Sequence, residues 1–512
     1  MEIGNILLFS SFLTSVLSAL IFYIALKERL DKAAIAENLL YASTSLSLAS
    51  MLVLFYYFLT DNFSVWYVYA NSNLEMPALY KISALWAGKE GSLLLWAFLT
   101  LLITSIYVST GKKDVVKAKV ATIMGVFSAY LLFLTFFTSN PFTVLPYTTH
   151  NGYGLNPLLR TTEMIFHPIV IFSAYSLSAL LFAMVISGSD VILQRKVAKL
   201  TWIFFSIGII IGGWWAYRTL GWGGFWGWDP VENASLLPWI TLTIYFHLKK
   251  HQELFAYLTF VLVLFATFVT RSGVISSVHS FGGEYFDFAY LLPIFAAIVP
   301  VLINIKKFGD LRSVCTQHLQ ILFSSMLIVV FLGTVANLMV KVERSYYLIT
   351  FLPLFAIIVG LVILKIKKMD SVIKLVHLGV IFLFVGSTSA WLFEQHYELN
   401  LGSGDGFSDG GFTLRDIWVR EDLEKFIVVF EVQTPYGTVH PKFLIYKIER
   451  SDRRVPTVEL ISYPWADYYF ALSGFDLDKK TVTLEYYVVP LILMVWVGSI
   501  LMIAGGILRL RS

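Results

Sequence analysis

Runs of apolar residues recur along the chain with short polar breaks between them. Thirteen suit crossings of a bilayer: 4–26, 38–59, 92–110, 118–138, 164–187, 200–217, 234–248, 254–270, 287–304, 318–340, 345–364, 373–393 and 487–508. About twenty apolar residues span the hydrocarbon core as a helix. The run at 234–248 is the shortest of the set. The first run has no basic start and no small-residue cleavage site, so it reads as a mature helix and not as a signal peptide.

One sizeable polar segment, 394–486, interrupts this pattern. Glycines and acids open it (Gly402, Gly404, Asp405, Gly406, Asp409, Gly410, Gly411). Alternating β-branched runs follow at Phe426–Val432 and Lys442–Ile448, with Pro435-Tyr436-Gly437 as the turn between them. The pattern predicts an all-α polytopic membrane protein of about thirteen helices with a small external β domain. Its parts are a helical bundle over 1–393, the β-rich segment 394–486, and a last membrane helix with its tail over 487–512.

Composition removes the competing classes. Of 512 residues, 57% are apolar and 14% charged, against roughly 45–50% and 25% in soluble domains. A soluble fold cannot hide that much apolar surface. The single cysteine, Cys315, cannot form an internal bridge. A net charge of +4 gives no case for nucleic acid. Basic residues also orient the chain. Of the 38 Lys and Arg, 21 fall in alternate loops and the C-terminal tail, 7 in the short loops opposite and 10 in the 394–486 segment. Cytoplasmic loops are the basic ones, so the N-terminus lies outside and the C-terminus inside a plasma membrane.

Candidate chemistry starts with LGWGGFWGWDPVENASLLPW at 220–239. Trp222, Trp226, Trp228, Trp239 and nearby Trp215 surround Gly221, Gly223, Gly224 and Gly227, and Asp229-Pro230-Val231-Glu232-Asn233 follow. Glycines let a backbone approach a flat partner, and indole rings offer broad apolar faces with one donor each. An interfacial aromatic belt is the plainer reading. The density of the cluster points instead to a flat, apolar, edge-charged ligand on the outer face.

The nine histidines sort by depth. His247 and His377 lie near the cytoplasmic ends of two different spans. His167 and His279 lie at the outer face, on the side of the Trp loop. Two imidazoles at one depth on different elements can bind one haem iron axially; alternatively, each is an interhelical hydrogen-bond partner. Arg218 and Arg271 flank the outer elements. Guanidinium groups match carboxylates, so they suit haem propionates or lipid phosphate. No Asp, Glu, Lys or Arg lies deep in any run, which disfavours an ion-coupled transporter. CxxCH and P-loop motifs are also absent.

GWGGFWGWDPVENASLLPW resembles the tryptophan-rich WWD signature of haem-handling membrane proteins. NSNLEMPALYKISALWAGKEGSLLLW, LNPLLRTTEMIFHP, TRSGVISSVHSF, LVHLGVIFLFVGS, DYYFALSG and VVPLILMVWVGSILMIAGG follow the order of the CcmF family of cytochrome c maturation proteins. The resemblance implies a haem lyase component that joins haem to apocytochrome c thiols. It implies that His167 and His279 hold the iron of substrate haem at the outer WWD site, where Trp222, Trp226, Trp228 and Asp229 share the catalytic region. Gly223, Gly224, Pro230, Glu232, Asn233 and Trp239 complete that site. His247 and His377 would bind a structural haem b. The implied partners are a CcmE-type haem chaperone, a CcmH-type subunit, apocytochrome c, membrane lipid and quinol as reductant. Phe225, Gly227 and Lys89 stand where the family usually has Trp, a bulky aromatic and His, and thirteen spans stand where fifteen are usual. A haem exporter and a quinol-oxidising b-type cytochrome subunit are the alternative functions.

Overall fold

The computed structural model describes residues 3–27, 32–112, 114–248, 250–274, 277, 288–304, 318–403, 408–409, 411–447 and 454–511. Each predicted apolar run falls largely on a helix there, although 487–490 belong to a strand. The helices are α1 (Ile3–Lys27), α2 (Ala33–Leu59), α3 (Trp66–Asn71), α4 (Ala78–Ala84), α5 (Lys89–Ser109), α6 (Val115–Phe137), α7 (Glu163–Ser187), α8 (Val191–Thr219), α9 (Pro230–His247), α10 (Gln252–Arg271), α11 (Leu292–Asn304), α12 (His318–Ala336), α13 (Arg344–Lys365), α14 (Ser371–Phe393) and α15 (Ile492–Arg511). Among the described residues, 11 are long and apolar enough to cross a membrane. The other two predicted spans are α9, whose first turn is polar, and α11, which has 13 residues.

Several helices begin well before their apolar runs because aspartates in the polar breaks cap them. The carboxylates of Asp114, Asp190 and Asp370 accept from the backbone N–H of Lys117, Leu193 and Ile373 at 2.7, 2.9 and 2.9 Å. Each satisfies a donor that a helix start leaves open. Within lipid there is no water to drive helices together, so small side chains and hydroxyls carry the contacts. Ser11 donates to the carbonyl of Ser43 between α1 and α2, and Thr241 bonds Thr259 between α9 and α10. On α14, Gly379 packs against the backbone of Gly498 and Met502 of α15 so closely that a Cβ would stand 2.5 Å from either.

The named strands of the polar segment all pair antiparallel. Its strands are β1 (Gln395–Gly402), β2 (Ser408–Asp409), β3 (Phe412–Glu421), β4 (Lys425–Thr434), β5 (Gly437–Val439), β6 (Lys442–Tyr446), β7 (Arg454–Pro456), β8 (Glu459–Ser462), β9 (Ala466–Asp476) and β10 (Thr481–Pro490). One sheet has the order β1-β10-β9-β8 and the other β2-β3-β4-β6-β7, with β5 also on β4. Phe430, Val432, Phe470, Leu472 and Leu484 fill the core of this unit. The two runs read as strands are β4 and β6, which pair, and Pro435-Tyr436-Gly437 turns β4 into β5. The last helix starts at Ile492 rather than 487. Tyr486 to Val489 instead extend β10 against Tyr468 and its neighbours, as aromatic and β-branched residues favour a pleated, half-buried surface.

A separate cluster seals this domain onto the bundle. It joins Tyr217 of α8, Phe225 of the Trp loop, Tyr469 of β9 and Tyr487 of β10. The Tyr217 hydroxyl donates to Asp467 Oδ2 at 3.0 Å. The Trp loop therefore lies at the end of the bundle that carries the β domain.

Candidate functional site

The Trp loop runs from the end of α8 to the start of α9. Gly223 has φ +73° there, a conformation L side chains rarely adopt, and the loop ends at Trp228, with φ +58°. Asp229 caps α9 in a capping box with Glu232, and Pro230 occupies the first turn. The Glu232 carboxylate accepts from the N–H of Gly227 and Asp229 at 2.9 and 3.1 Å. Both acids thus fix the exit of the loop. Asp229 Oδ1 also accepts from Ser277 Oγ at 2.7 Å.

The glycines do permit close approach to flat groups, but the groups are the chain's own. A Cβ at Gly224 would stand 2.5 Å from the Trp222 ring, and one at Gly223 would stand 2.6 Å from Tyr487. Trp228 is 4% exposed. It stacks on Tyr347 at 4.6 Å and 3°, with Phe351 and Trp391 beside it. Asn233 Nδ2 donates to the Trp228 carbonyl and to the Tyr347 hydroxyl, both at 2.9 Å. Phe225 stacks on Trp391. Trp239 lies deeper, stacked on Trp202 and donating to Ser206 Oγ at 2.8 Å. Trp222 packs on the loop's glycines, Trp228 and Trp239 line a cavity of about 120 Å³ with Trp226, and Trp226 also lines a larger one.

That cavity has a volume of about 430 Å³ and lies among α5, α7, α8, α9 and α10. Its walls include His167, Trp215, Trp226, Glu232, Tyr175 and Arg271. His167, in the second turn of α7, donates from Nδ1 to the Gly208 carbonyl of α8 at 2.9 Å. The proton on Nδ1 leaves the lone pair on Nε2, the nitrogen a metal takes. The ring lies against Gly212, where a Cβ would approach its Cε1 to 3.2 Å. His279 lies outside the described residues. Arg271 is 2% exposed. It donates from Nη1 to the Lys89 carbonyl at 3.1 Å and from Nη2 to Ser92 Oγ at 2.8 Å. Arg218 does not line the cavity. Its half-exposed side chain pairs with Glu163 at 3.8 Å. Lys81 pairs with Asp61 at 2.6 Å, an anchoring role.

The second pair of imidazoles meets at the far end of α9. His247 closes that helix and His377 sits in the second turn of α14. Their ring centroids are 6.2 Å apart and their planes cross at 78°. Each Nδ1 bonds the carbonyl four residues back, Thr243 at 2.7 Å and Ile373 at 2.9 Å. Both rings therefore carry their lone pairs on Nε2. A metal–imidazole bond of about 2.0–2.1 Å, with the nitrogen about 1.1 Å from its ring centre, places two opposed ring centres roughly 6.2 Å apart. The spacing and the donor set both fit axial ligation of one iron.

Sequence reasoning missed Tyr347 and Trp391, which hold Trp228. It also missed the ion pair of Arg160, before α7, with Glu424, between β3 and β4. Glu424 also accepts from Asn73 Nδ2 at 3.3 Å. These contacts join distant parts of the chain, and no local pattern announces them.

Residues 86–275 match the cytochrome c assembly protein family. The chain is 35% identical to the cytochrome c-type biogenesis protein CcmF of Haemophilus influenzae over 59% of its own length and 51% of that protein. It is 40% identical to CcmF of Pseudomonas aeruginosa over 46% and 40%. The matched part thus spans about half the length of these relatives, or less. A probable cytochrome c-type biogenesis protein, NrfE of Escherichia coli, is 28% identical over 91% of this chain and 93% of that one. Among solved structures, the cytochrome c haem lyase CcmF superposes with a TM-score of 0.80 over 98% of this chain and 96% of that one, at 18% identity. At that identity the likeness speaks to the fold alone.

Proposed function

We propose that the chain is the membrane haem lyase component of cytochrome c maturation, a multi-pass membrane protein of the CcmF/NrfE kind; the match of residues 86–275 to the cytochrome c assembly protein family and the likeness to CcmF and NrfE proteins support this reading. The basic loops put the β-domain end outside the plasma membrane. Haem is then the substrate in the 430 Å³ cavity, with its iron between His167 and His279. The observation that carries this reading is His167. Its Nδ1 is committed to Gly208 and its ring opens on the cavity beneath Trp226.

The reaction adds each apocytochrome thiol across a vinyl C=C bond. A C–S bond forms, and the thiol proton passes to the other vinyl carbon. No nucleophile of this chain is required. Its contribution is alignment, which can supply several kcal/mol by turning an encounter into a near-attack pair. Trp226 forms a wall of the haem cavity, and the stack of Trp228, Tyr347 and Trp391 holds the platform rigid behind it.

His247 and His377 hold a resident haem b. When bound there, that group supplies a one-electron couple, for which quinol is the reductant in this reading. The chaperone of CcmE type, the CcmH-type subunit and apocytochrome c approach from the β-domain side. The test is cytochrome c yield in cells carrying His167→Ala. The proposal expects maturation to be lost while the resident haem is retained. Normal maturation would remove His167 from the site.

A further inference from the structure

The last helix is barely long enough for its membrane. In α15, residues 492–508 carry no Asp, Glu, Lys or Arg, and Arg509 follows. Those 17 residues rise about 26 Å, less than the roughly 30 Å of the hydrocarbon core. No turn of α15 is therefore left to stand above the boundary, and Leu491 lies at or within it. The helix packed against it, α14, agrees. Its charge-free stretch, 375–393, rises about 29 Å and ends at Phe393, before Glu394.

A tight hairpin reaches this same level. β8 and β9 pair as far as Ser462 and Asp467, and the Tyr463 N–H donates to the Ala466 carbonyl at 2.9 Å, so Pro464 and Trp465 form the tip. β9 pairs with β10 down to Ala466 opposite Pro490. One residue further on, the Leu491 N–H donates to the Trp465 carbonyl at 2.8 Å. The tip is thus level with the residue from which α15 enters the bilayer. Tyr463-Pro464-Trp465 carries no charge, and Asp467, the nearest acid in sequence, is buried and bonded to Tyr217. Trp465 is 59% exposed, and its indole stacks on the Tyr463 ring at 5.0 Å and 19°. Phe393 and Leu493, at the facing ends of the two helices, are exposed as well.

We propose that this hairpin tip anchors the β domain in the membrane interface, with Tyr463 and Trp465 seated among the phospholipid headgroups of the leaflet on the β-domain side. Indole and phenol rings suit that zone, being apolar in body and polar at one edge. The anchor is a third tether beside the two covalent ones at α14 and α15. It lies on the strand that carries Asp467 and Tyr469, which form the seam with Tyr217 of α8. It thereby fixes the height at which β9 presents that seam.

A spin label reads this directly. The full chain with Cys315→Ser carries one nitroxide, at Trp465→Cys or at Lys479→Cys, in phospholipid nanodiscs. Lys479 lies in the β9–β10 turn, with its side chain 79% exposed. The 11 residues of β9 put the two labels about 36 Å apart along the strand. Power saturation is measured with oxygen, which partitions into lipid, and with a water-soluble nickel chelate. The ratio of oxygen to nickel access is expected to be several times higher at 465 than at 479. Lipid with a nickel-chelating headgroup is expected to relax the label at 465 and to spare the one at 479. Equal ratios at the two positions, or no effect of the nickel lipid at 465, would overturn the proposal. So would low access to both probes at 465, the mark of a protein neighbour such as a second copy of the chain. Where Trp465→Cys does not fold, Pro464→Cys, at the other exposed position of the tip, takes its place with the same expectations.

Discussion

Arg160 and Glu424 form an ion pair whose side chains are only 3% and 7% exposed. Arg160 also lies over the Tyr446 ring of β6 at 4.7 Å. The loop that leads into α7, and so into His167, is thereby bolted to the β domain. Removing one partner of a buried pair strands the other, typically costing about 3–5 kcal/mol. Arg160→Ala is expected to lower the thermal midpoint and expose the β domain to limited proteolysis. The double change Arg160→Met with Glu424→Leu should recover most of the loss. An unchanged melting profile in Arg160→Ala would show that the β domain does not depend on this bolt.

Gly223 and Tyr487 form the second seam. A methyl group at Gly223 meets the Tyr487 ring at 2.6 Å, and the φ of +73° adds strain of its own, about 1–2 kcal/mol for an L residue. Gly223→Ala should therefore displace the loop and reduce haem loading at the His167 site. Adding Tyr487→Ala relieves the contact but not the φ strain, so partial recovery is expected. Haem content per chain measures both.

Asp229 carries its weight as a helix cap and as the acceptor of Ser277. Asparagine caps nearly as well as aspartate, whereas alanine costs about 1 kcal/mol. Asp229→Asn should mature cytochrome c close to the native level, and Asp229→Ala should lose stability and yield together. Equal and complete loss in both would mean that the carboxylate charge itself takes part in the chemistry.

The β-domain seam has a pH dependence of unusual sign. Burial pushes the Asp467 carboxyl above its ordinary value of 3.8 despite the bonds it accepts from Ser462 and Tyr217, and Glu394 is raised from 4.5 by the same cause. Between those ordinary values and the raised ones, the folded state holds protons that the unfolded chain has released. Stability therefore falls as pH rises through that window. Thermal midpoints should decline as pH rises above those ordinary values, and Asp467→Asn should reduce the slope. A native profile that rises with pH would contradict this.

The helices were legible because the run length of apolar residues measures a bilayer, and nothing local competes with that signal in 4–26 or 164–187. The His247–His377 pair was legible for a related reason: helical rise converts sequence position into depth. Depth alone does not give facing, which required the packing of α9 against its neighbours. The glycines of the Trp loop misled in one respect. Their need for close contact was visible, but the partners, Trp222 and Tyr487, lie within the chain. The Arg160–Glu424 pair was illegible, since its members stand 264 residues apart and neither neighbourhood differs from an ordinary polar loop. The start of α15 was misplaced for want of register, because Tyr486 to Val489 read equally well as membrane helix or as strand.

Under the proposed function the chain holds haem at two levels, through His167 near the β domain, with His279 as its proposed partner ligand, and through His247 with His377 at the opposite end of α9. The direct measurement is a redox-resolved absorption spectrum with haem quantified per chain, taken on the haem-supplied protein and on His167→Ala and His247→Ala. The account predicts two haems in the native chain, with loss of the outer one in the first variant and of the inner, bis-imidazole spectrum in the second. A colourless native chain, or a full b-type spectrum surviving in His247→Ala, would contradict it.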